Sequence, residues 1–521
     1  GVNLRALLSV YDKTDLDKLA KYLVENEFEL ISTGGTYNFL SDKGFQVTKV
    51  DSVTGSPEIL DGRVKTLHPK IHGGILAKRE NVSHSEDLSN NGIDYIDLVV
   101  TNLYPFYSVA TDINATEDQI IENIDIGGPT LLRAAAKNFQ DVVVLVDPTD
   151  YSLFENNWST NKFGIKERKY LARKAFQHVA HYDTLISEYL RGNDEFSDIL
   201  TVALTKVSDL RYGENPHQKG SFYKLDSTKL PNQGFGSFVQ HHGKDLSYVN
   251  LLDADAAFNL VNDYSDNAIA IIKHTNPCCL AVGNEELDVL FEKALTQGDA
   301  ISAYGGIIAT NKNIDMKFAD KIRTLLSPIN GIRMFYEIVV CSSIDQDALD
   351  HLKKKSKDLR ILTVPNVDTS YNWQTMRTLR GGMLIQDSDL SIEKEFELVS
   401  VRKPTKRELE DLTIAWIVCK HVKSNAITFV KDGVLVGMGA GQPNRVGSAK
   451  ISGEAAQNKA IGAAAASDAL IPFPDTIEVC AEYGVTSLVH TGGSIRDAES
   501  VDIANKLNLS FFTSGVRHFS H

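Results

Sequence analysis

The chain is 521 residues long and 42% hydrophobic, more than one ordinary core accommodates, which predicts about two to four domains. A formal net charge of −14 argues against bulk nucleic-acid binding, which runs on clustered Lys and Arg. With no apolar run of transmembrane length and no charged-then-apolar leader, the expectation is a cytoplasmic chain without a membrane partner.

Residues 5–10 read as a strand, Leu16, Leu19, Ala20 and Leu23 as the apolar stripe of a helix, and residues 28–31 as a second strand. This alternation predicts a parallel α/β sheet. The second strand runs into Ser32-Thr33-Gly34-Gly35-Thr36, followed by a helical segment ending at Gly44. Backbone N–H groups, hydroxyls and the positive end of a helix dipole suit a phosphate there, with Lys13 and Thr14 at the same sheet edge; a merely capped turn explains the pattern equally well. Residues 63–74, with Arg63, Lys65, Thr66, His68, Lys70 and His72, form a basic loop that suits an anionic ligand or is a surface loop with unrelated charges. Residues 97–103 are another strand, ending in Asn102-Leu103-Tyr104-Pro105-Phe106. Asp125, Gly127, Gly128 and Pro129 then open a helix that carries Arg133 and Lys137 on one face. Tyr104, Asp125 and Lys137 together suit proton transfer and polarisation.

Residues 166–190 form a long amphipathic helix, and the pattern breaks near 191–200. Arg211-Tyr212-Gly213-Glu214-Asn215 is either an exposed connection or a clamp for a phosphate and a ring. Residues 268–272 look like a fully buried strand, placing Lys273 and His274 at its carboxyl end, where open α/β sheets form ligand crevices. A structural strand end with a satisfied histidine has the same pattern. A helix near 287–295, the glycine-bearing Ser302-Ala303-Tyr304-Gly305-Gly306, and strands near 307–309 and 337–340 follow; residues 353–357 read as a solvated helix end. Thr405 caps a helix to Lys420, and Lys420-His421 with Asn425 echoes Lys273-His274 with Asn276, which fits a duplicated α/β unit or chance. Gly437-Met438-Gly439-Ala440-Gly441 is not a dinucleotide fingerprint. The chain ends Arg517-His518-Phe519-Ser520-His521, a tail suited to closing a site. Five cysteines, at 278, 279, 341, 419 and 480, include no Cys-x-x-Cys pair, which argues for a reducing compartment and against structural zinc.

Thr33 to Thr36 resemble the phosphate loop of methylglyoxal-synthase-like domains, and the matches at 63–74, 102–106 and 125–137 resemble inosine monophosphate (IMP) cyclohydrolase. With further matches at 211–218, 273–278, 302–306, 424–427, 439–445 and 517–519, nearly the whole chain resembles one family. Its members join aminoimidazole carboxamide ribonucleotide (AICAR) transformylase to IMP cyclohydrolase in purine biosynthesis. The resemblance implies a methylglyoxal-synthase-like domain at 1–195 and a transformylase region at 196–521 made of two cytidine-deaminase-like units, approximately 196–365 and 366–521.

It also implies substrates AICAR, formyl-AICAR and IMP, with 10-formyltetrahydrofolate as co-substrate, no catalytic metal, and a homodimer. By resemblance His274 is the base, Lys273 the oxyanion's cation and Asn425 the carboxamide's orienter, while Arg211, Tyr212, Gly305, Glu337, Asp475 and Arg517 contact the nucleotide and Arg445 faces the folate. Lys65, Tyr104, Asp125 and Lys137 are implied at the cyclohydrolase centre, with Lys13, Ser32, Thr33, Gly34, Gly35, Thr36, Arg63, Thr66 and Asn102 around the nucleotide. Tyr11, Cys279, Tyr304, Leu470, Ile471 and Thr491 depart from the usual family residues without removing a catalytic group.

A zinc deaminase is the competing enzyme class. It needs His-x-Glu with a later Pro-Cys-x-x-Cys; His84-Ser85-Glu86 lies in a polar loop and Cys278-Cys279 has the wrong spacing. A regulatory ligand-binding module is the alternative for the amino-terminal domain, against which Tyr104, Asp125 and Lys137 stand together.

Overall fold

The computed structural model describes residues 4–160, 162–354, 356–368 and 373–521. Contacts divide the chain into two compact units, Gly1–Thr205 with Leu225–Pro231 and Lys206–Lys224 with Asn232–His521.

The first unit is built on a five-stranded, wholly parallel sheet of β1 (Leu4–Val10), β2 (Phe28–Ser32), β3 (Val47–Lys49), β4 (Leu98–Asn102) and β5 (Val143–Leu145), in the order β3-β2-β1-β4-β5. Helices cover the faces, so β4 and β5 bury every residue, which is why they read as unbroken apolar runs rather than alternating ones. β1 pairs with β2 from Leu4↔Phe28 and with β4 through Val10↔Asn102. The winding direction reverses between β1 and β4, the place where open α/β sheets leave a crevice beyond the strand ends. Helix Ile165–Arg191 buries Leu171, Ala175, Val179 and Tyr182, one side chain per turn, against this core. His84 and Glu86, expected in a loop, lie on helix Val82–Asn90, capped by Asn81.

The second unit carries a twelve-stranded sheet made of two six-stranded halves with one topology. In the first half, helix Tyr248–Asn262 leads into the hairpin Asn267–Lys273 and Asn276–Gly283; helices then alternate with Gly306–Thr310, Tyr336–Cys341 and Arg360–Thr363. In the second, helix Lys406–Lys420 leads into the hairpin Ile427–Lys431 and Val434–Gly439, followed by Ala464–Ser467, Ser487–His490 and Ser510–Thr513. Each half is parallel along its last three strands and closed by an antiparallel edge strand, Val239–His242 or Glu397–Leu398. The halves join where Asn276–Gly283 pairs antiparallel with Val434–Gly439, at Ala281↔Val434.

The duplication is thus present, but the Lys-His echo is out of register with it. Lys273-His274 belongs to the first hairpin, whereas Lys420-His421 ends the helix that precedes the second. The matching positions are Ser247, Asn250 and Asp253 against Thr405, Glu408 and Asp411. Each trio is a capping box followed, six residues from the cap, by an acidic side chain. Lys353 ends helix Gln346–Lys353 as the solvated-end reading expects, while Lys355 of that stretch lies outside the described residues.

Candidate active sites

At the switch point of the first unit, buried Asn102 ties the two strand ends together. Its Oδ1 accepts the Tyr11 and Asp12 N–H groups at 2.7 and 2.8 Å, and its Nδ2 donates to the Asp12 carbonyl at 3.0 Å. Ser32 and Thr36 serve the same framework: Ser32 Oγ donates to Leu8 O at 2.7 Å, and Thr36 Oγ1 bonds both N and O of Val10 at 3.0 Å. With those hydroxyls committed, what remains for an anion is the amino terminus of helix Gly34–Asp42, with Thr33 extended before it and Gly34 at φ 54°.

Two cations come to that terminus. Lys13 folds over the end of β1, its Nζ 3.2 Å from Tyr11 O. Lys65 reaches in from the basic loop, so close that a Cβ on Gly34 would stand 3.3 Å from its Nζ, and it pairs with Glu58 at 3.1 Å. Arg63, by contrast, pairs at the surface with Glu122. Buried Thr66 abuts Gly127, where a Cβ would lie 3.2 Å from its Oγ1.

Asp125 lies at the start of helix Gly127–Lys137, its Oδ1 accepting the Gly128 N–H at 2.9 Å while its own N–H donates to Tyr182 Oη at 2.9 Å. Burial pushes its carboxyl up, against the pull of the Gly128 and Tyr104 N–H groups and the Lys65 charge. Tyr104 is half-exposed beside it, edge-on to Tyr11. Lys137 is separated from this group, contrary to expectation. It is the exposed last residue of the helix that Asp125 opens, about 15 Å along the axis at 1.5 Å per residue, because a helix between parallel strands runs back toward their starts. Lys65 is the cation that faces Asp125.

In the second unit, strand direction does the assembling. Asn267–Lys273 ends at the sheet edge where Gly306–Thr310, Tyr336–Cys341 and Ile427–Lys431 begin and where Ala464–Ser467 and Ser510–Thr513 end. That one edge therefore carries Lys273, His274, Gly305, Glu337, Asn425 and the carboxyl-terminal tail. Contrary to the expectation of a parallel-strand crevice, Lys273 and His274 lie at the turn of a tight antiparallel hairpin. Lys273 pairs with Asn276, leaving His274 and Thr275 as the two turn residues, at φ 55° and 60°. His274 is exposed, and Lys273 Nζ donates to Tyr304 O at 2.7 Å, next to Gly305 at φ 77°. Glu337 pairs with buried Arg360 at 2.9 Å.

Asn425 is held on every side: its Nδ2 donates to Gln442 O at 3.0 Å, its Oδ1 accepts from Arg445 Nη2 at 2.8 Å, and its carbonyl accepts from Ser448 Oγ at 2.6 Å. Arg445, expected to face the folate, is itself buried and paired with fully buried Asp468. The tail closes over this group through Ser520, whose carbonyl accepts the Ser424 N–H at 2.9 Å and whose N–H donates to Ser424 Oγ at 3.1 Å. His518 anchors it, its ring between Asp389 at 2.5 Å and Glu393 at 2.7 Å. Arg517 stays exposed, stacked on Phe519. Asp475 is exposed at the start of helix Asp475–Glu482, and Arg211 stacks on Tyr212 next to the hairpin Leu204–Leu210 and Gly220–Leu225.

Sequence reading missed Asp253, Gln442, Ser448 and Asp468 as supports. Only Asp253 carried a signal, its match to Asp411; the others bond residues 17 to 44 positions away. Among the described residues no group of three or more His, Cys, Asp or Glu is placed to hold a metal ion, and no helix is long and apolar enough to cross a membrane.

Two family descriptions match the chain, "MGS-like domain" over residues 15–130 and "AICARFT/IMPCHase bienzyme" over residues 135–455. The chain is 43% identical over 524 residues to the bifunctional purine biosynthesis protein PurH of Caldicellulosiruptor saccharolyticus. It is 45% identical over 526 and 522 residues to the proteins of that name from Bacillus cytotoxicus and Bacillus cereus, with 99% of each chain covered in all three cases.

Proposed function

The chain belongs to the AICARFT/IMPCHase bienzyme family and catalyses formyl transfer to AICAR and closure of formyl-AICAR to IMP, and we propose that it does so at the two groups of residues described above, with 10-formyltetrahydrofolate as formyl donor. The observation that carries the transferase assignment is the gathering of Lys273, His274, Gly305, Asn425 and the tail at one sheet edge.

The attacking amine of AICAR is a poor nucleophile, because its lone pair is delocalised into the ring and carboxamide. His274, exposed on its turn, takes the amine proton as the new N–C bond forms, and Lys273 stabilises the oxyanion on the formyl carbon. Collapse breaks the bond to the folate nitrogen, which leaves with a proton. Asn425 orients the carboxamide, and Arg211, Tyr212, Gly305, Glu337, Asp475 and Arg517 hold the nucleotide. Arg445 acts through Asn425 rather than by facing the folate.

Cyclisation joins the carboxamide nitrogen to its own formyl carbon and expels water, so positioning supplies much of the rate. Lys13, Arg63, Thr66 and the Thr33–Gly34–Gly35 turn receive the phosphate on the Ser32, Thr36 and Asn102 framework, and Lys65, Tyr104 and Asp125 form the reacting centre. A homodimer in the cytoplasm completes the reading; the hairpin Gln374–Leu379 and Gly382–Asp387, with Met376, Leu379, Met383 and Leu384 exposed, supports a protein partner surface.

The test follows IMP and tetrahydrofolate together from AICAR and 10-formyltetrahydrofolate. His274→Ala is expected to abolish tetrahydrofolate release while formyl-AICAR still closes to IMP. Formyl transfer retained by that variant would overturn the assignment.

A further inference from the structure

Two-residue hairpin turns with both residues at positive φ favour Asn-Gly or Asp-Gly, because glycine takes the left-handed region without strain. The second half of the sheet follows this rule with Asp432 and Gly433, at φ 50° and 78°. The first half places His274 and Thr275 at the matching positions, at φ 55° and 60°. A β-branched threonine is among the residues least suited to that region, and strained backbone of this kind persists only where its surroundings hold it.

What holds it is on the preceding helix. Buried Asp253 accepts the Thr275 N–H at 2.7 Å, and the His274 N–H leans on the same carboxylate. Asp411, at the same place in the other half, accepts the Asp432 and Gly433 N–H groups at 2.9 and 2.8 Å. In the second half the carboxylate supports a turn that glycine already favours; in the first it supports one that carries the base.

We propose that Asp253 is a positioning residue for formyl transfer, holding the His274-Thr275 turn in the left-handed conformation that presents the imidazole to the substrate amine. This rests on the reading of His274 as the base. Asp253 acts through the backbone and does not touch substrate.

The test compares Asp253→Ala, Thr275→Gly and the double variant, measuring kcat and KM for AICAR in formyl transfer together with Tm. Asp253→Ala is expected to lower kcat about 100-fold with KM changed by less than about 2-fold, the signature of a misplaced group rather than lost binding. Thr275→Gly alone stays near the parent, and Asp253→Ala with Thr275→Gly regains most of the loss, since glycine adopts the turn unaided. A carboxylate that only stabilised the helix would not be rescued by glycine in the turn. Where Asp253→Ala fails to fold, Asp253→Asn keeps one acceptor and sets an amide against the other N–H, with a partial loss that Thr275→Gly again relieves. An unchanged kcat in folded Asp253 variants, or a double variant no better than the single, overturns the proposal. His274→Ala separates the two readings: if it retains transfer the base assignment fails, and if it is inactive while Asp253 variants are normal only the positioning role fails.

Discussion

Arg445 and Asp468 form an ion pair beneath Asn425 with neither side chain open to solvent, and between them they hold three consecutive residues. Asp468 accepts Ser424 Oγ at 2.5 Å and the Ala426 N–H at 3.2 Å, while Arg445 donates to Asn425 Oδ1 at 2.8 Å. Removing one partner leaves an uncompensated buried charge, which costs about 3–5 kcal/mol. Arg445→Ala is therefore expected to destabilise the chain by that order in denaturant titration, and to depress formyl transfer while cyclisation of formyl-AICAR continues. A loss confined to folate affinity, with stability unchanged, would count against this.

The His518 anchor predicts a pH window for stability. Burial opposes the imidazolium, but hydrogen bonds to Asp389 and Glu393 outweigh it and hold the ring's pKa above its ordinary 6.5. Burial likewise opposes the Glu393 carboxylate, yet hydrogen bonds from Ser391, Trp416 and His518 hold it down to about 2 from its ordinary 4.5. The His518 contribution is complete below pH 6.5 and fades as pH rises through the raised value; that of Glu393 is complete above pH 4.5 and fades toward pH 2. The Tm gap between the parent and His518→Asn should be widest between pH 4.5 and 6.5 and shrink on either side.

Asp125 is held ionised at a cost in stability. Its carboxyl is pushed above the ordinary 3.8 by burial, so its ionised form at neutral pH costs stability that is regained as pH falls through the raised value toward 3.8. Asp125→Asn keeps an oxygen for the Gly128 N–H but sets an amide against the Tyr104 N–H, so its Tm should compare more favourably with the parent's at pH 7 than at pH 3.8. Cyclisation should fall on the order of 100-fold, as expected for loss of a proton-transfer group.

Gly34 combines a left-handed φ of 54° with the close approach of Lys65, 3.3 Å from where a Cβ would stand. Gly34→Ala should cost about 1–2 kcal/mol in stability from the backbone alone. It should also raise KM for formyl-AICAR by displacing Lys65, measured in the cyclisation assay with formyl transfer as the internal reference.

Met383 and Leu384 stand about half-exposed on the hairpin Gln374–Leu379 and Gly382–Asp387. The homodimer proposed above predicts that charged residues at both, Met383→Glu with Leu384→Glu, shift the chain from dimer to monomer in analytical ultracentrifugation, and a parent chain that is itself monomeric would overturn that dimer. A dimer that survives them would move the interface elsewhere.

The sequence by itself determined the elements and the inventory of reactive side chains. Apolar runs and capping residues are local signals, so the strands ending at Val10, Asn102 and Lys273 and the helix capped by Thr405 were legible from neighbouring residues alone. The three-residue strands Val47–Lys49 and Val143–Leu145 were too short to show a period. Only the tertiary structure decided which groups meet. Lys137 shares a face with Arg133 and follows Asp125 closely in sequence, yet helix direction carries it to the other end; Lys65, far from Asp125 in sequence, faces it instead. The hairpin at His274 was hidden because its turn lacks glycine, the usual signal, and owes its shape to a carboxylate on another element. Local chemistry chooses strand, helix or cap, whereas the pairing of distant side chains depends on strand order and direction, which no short window of sequence contains.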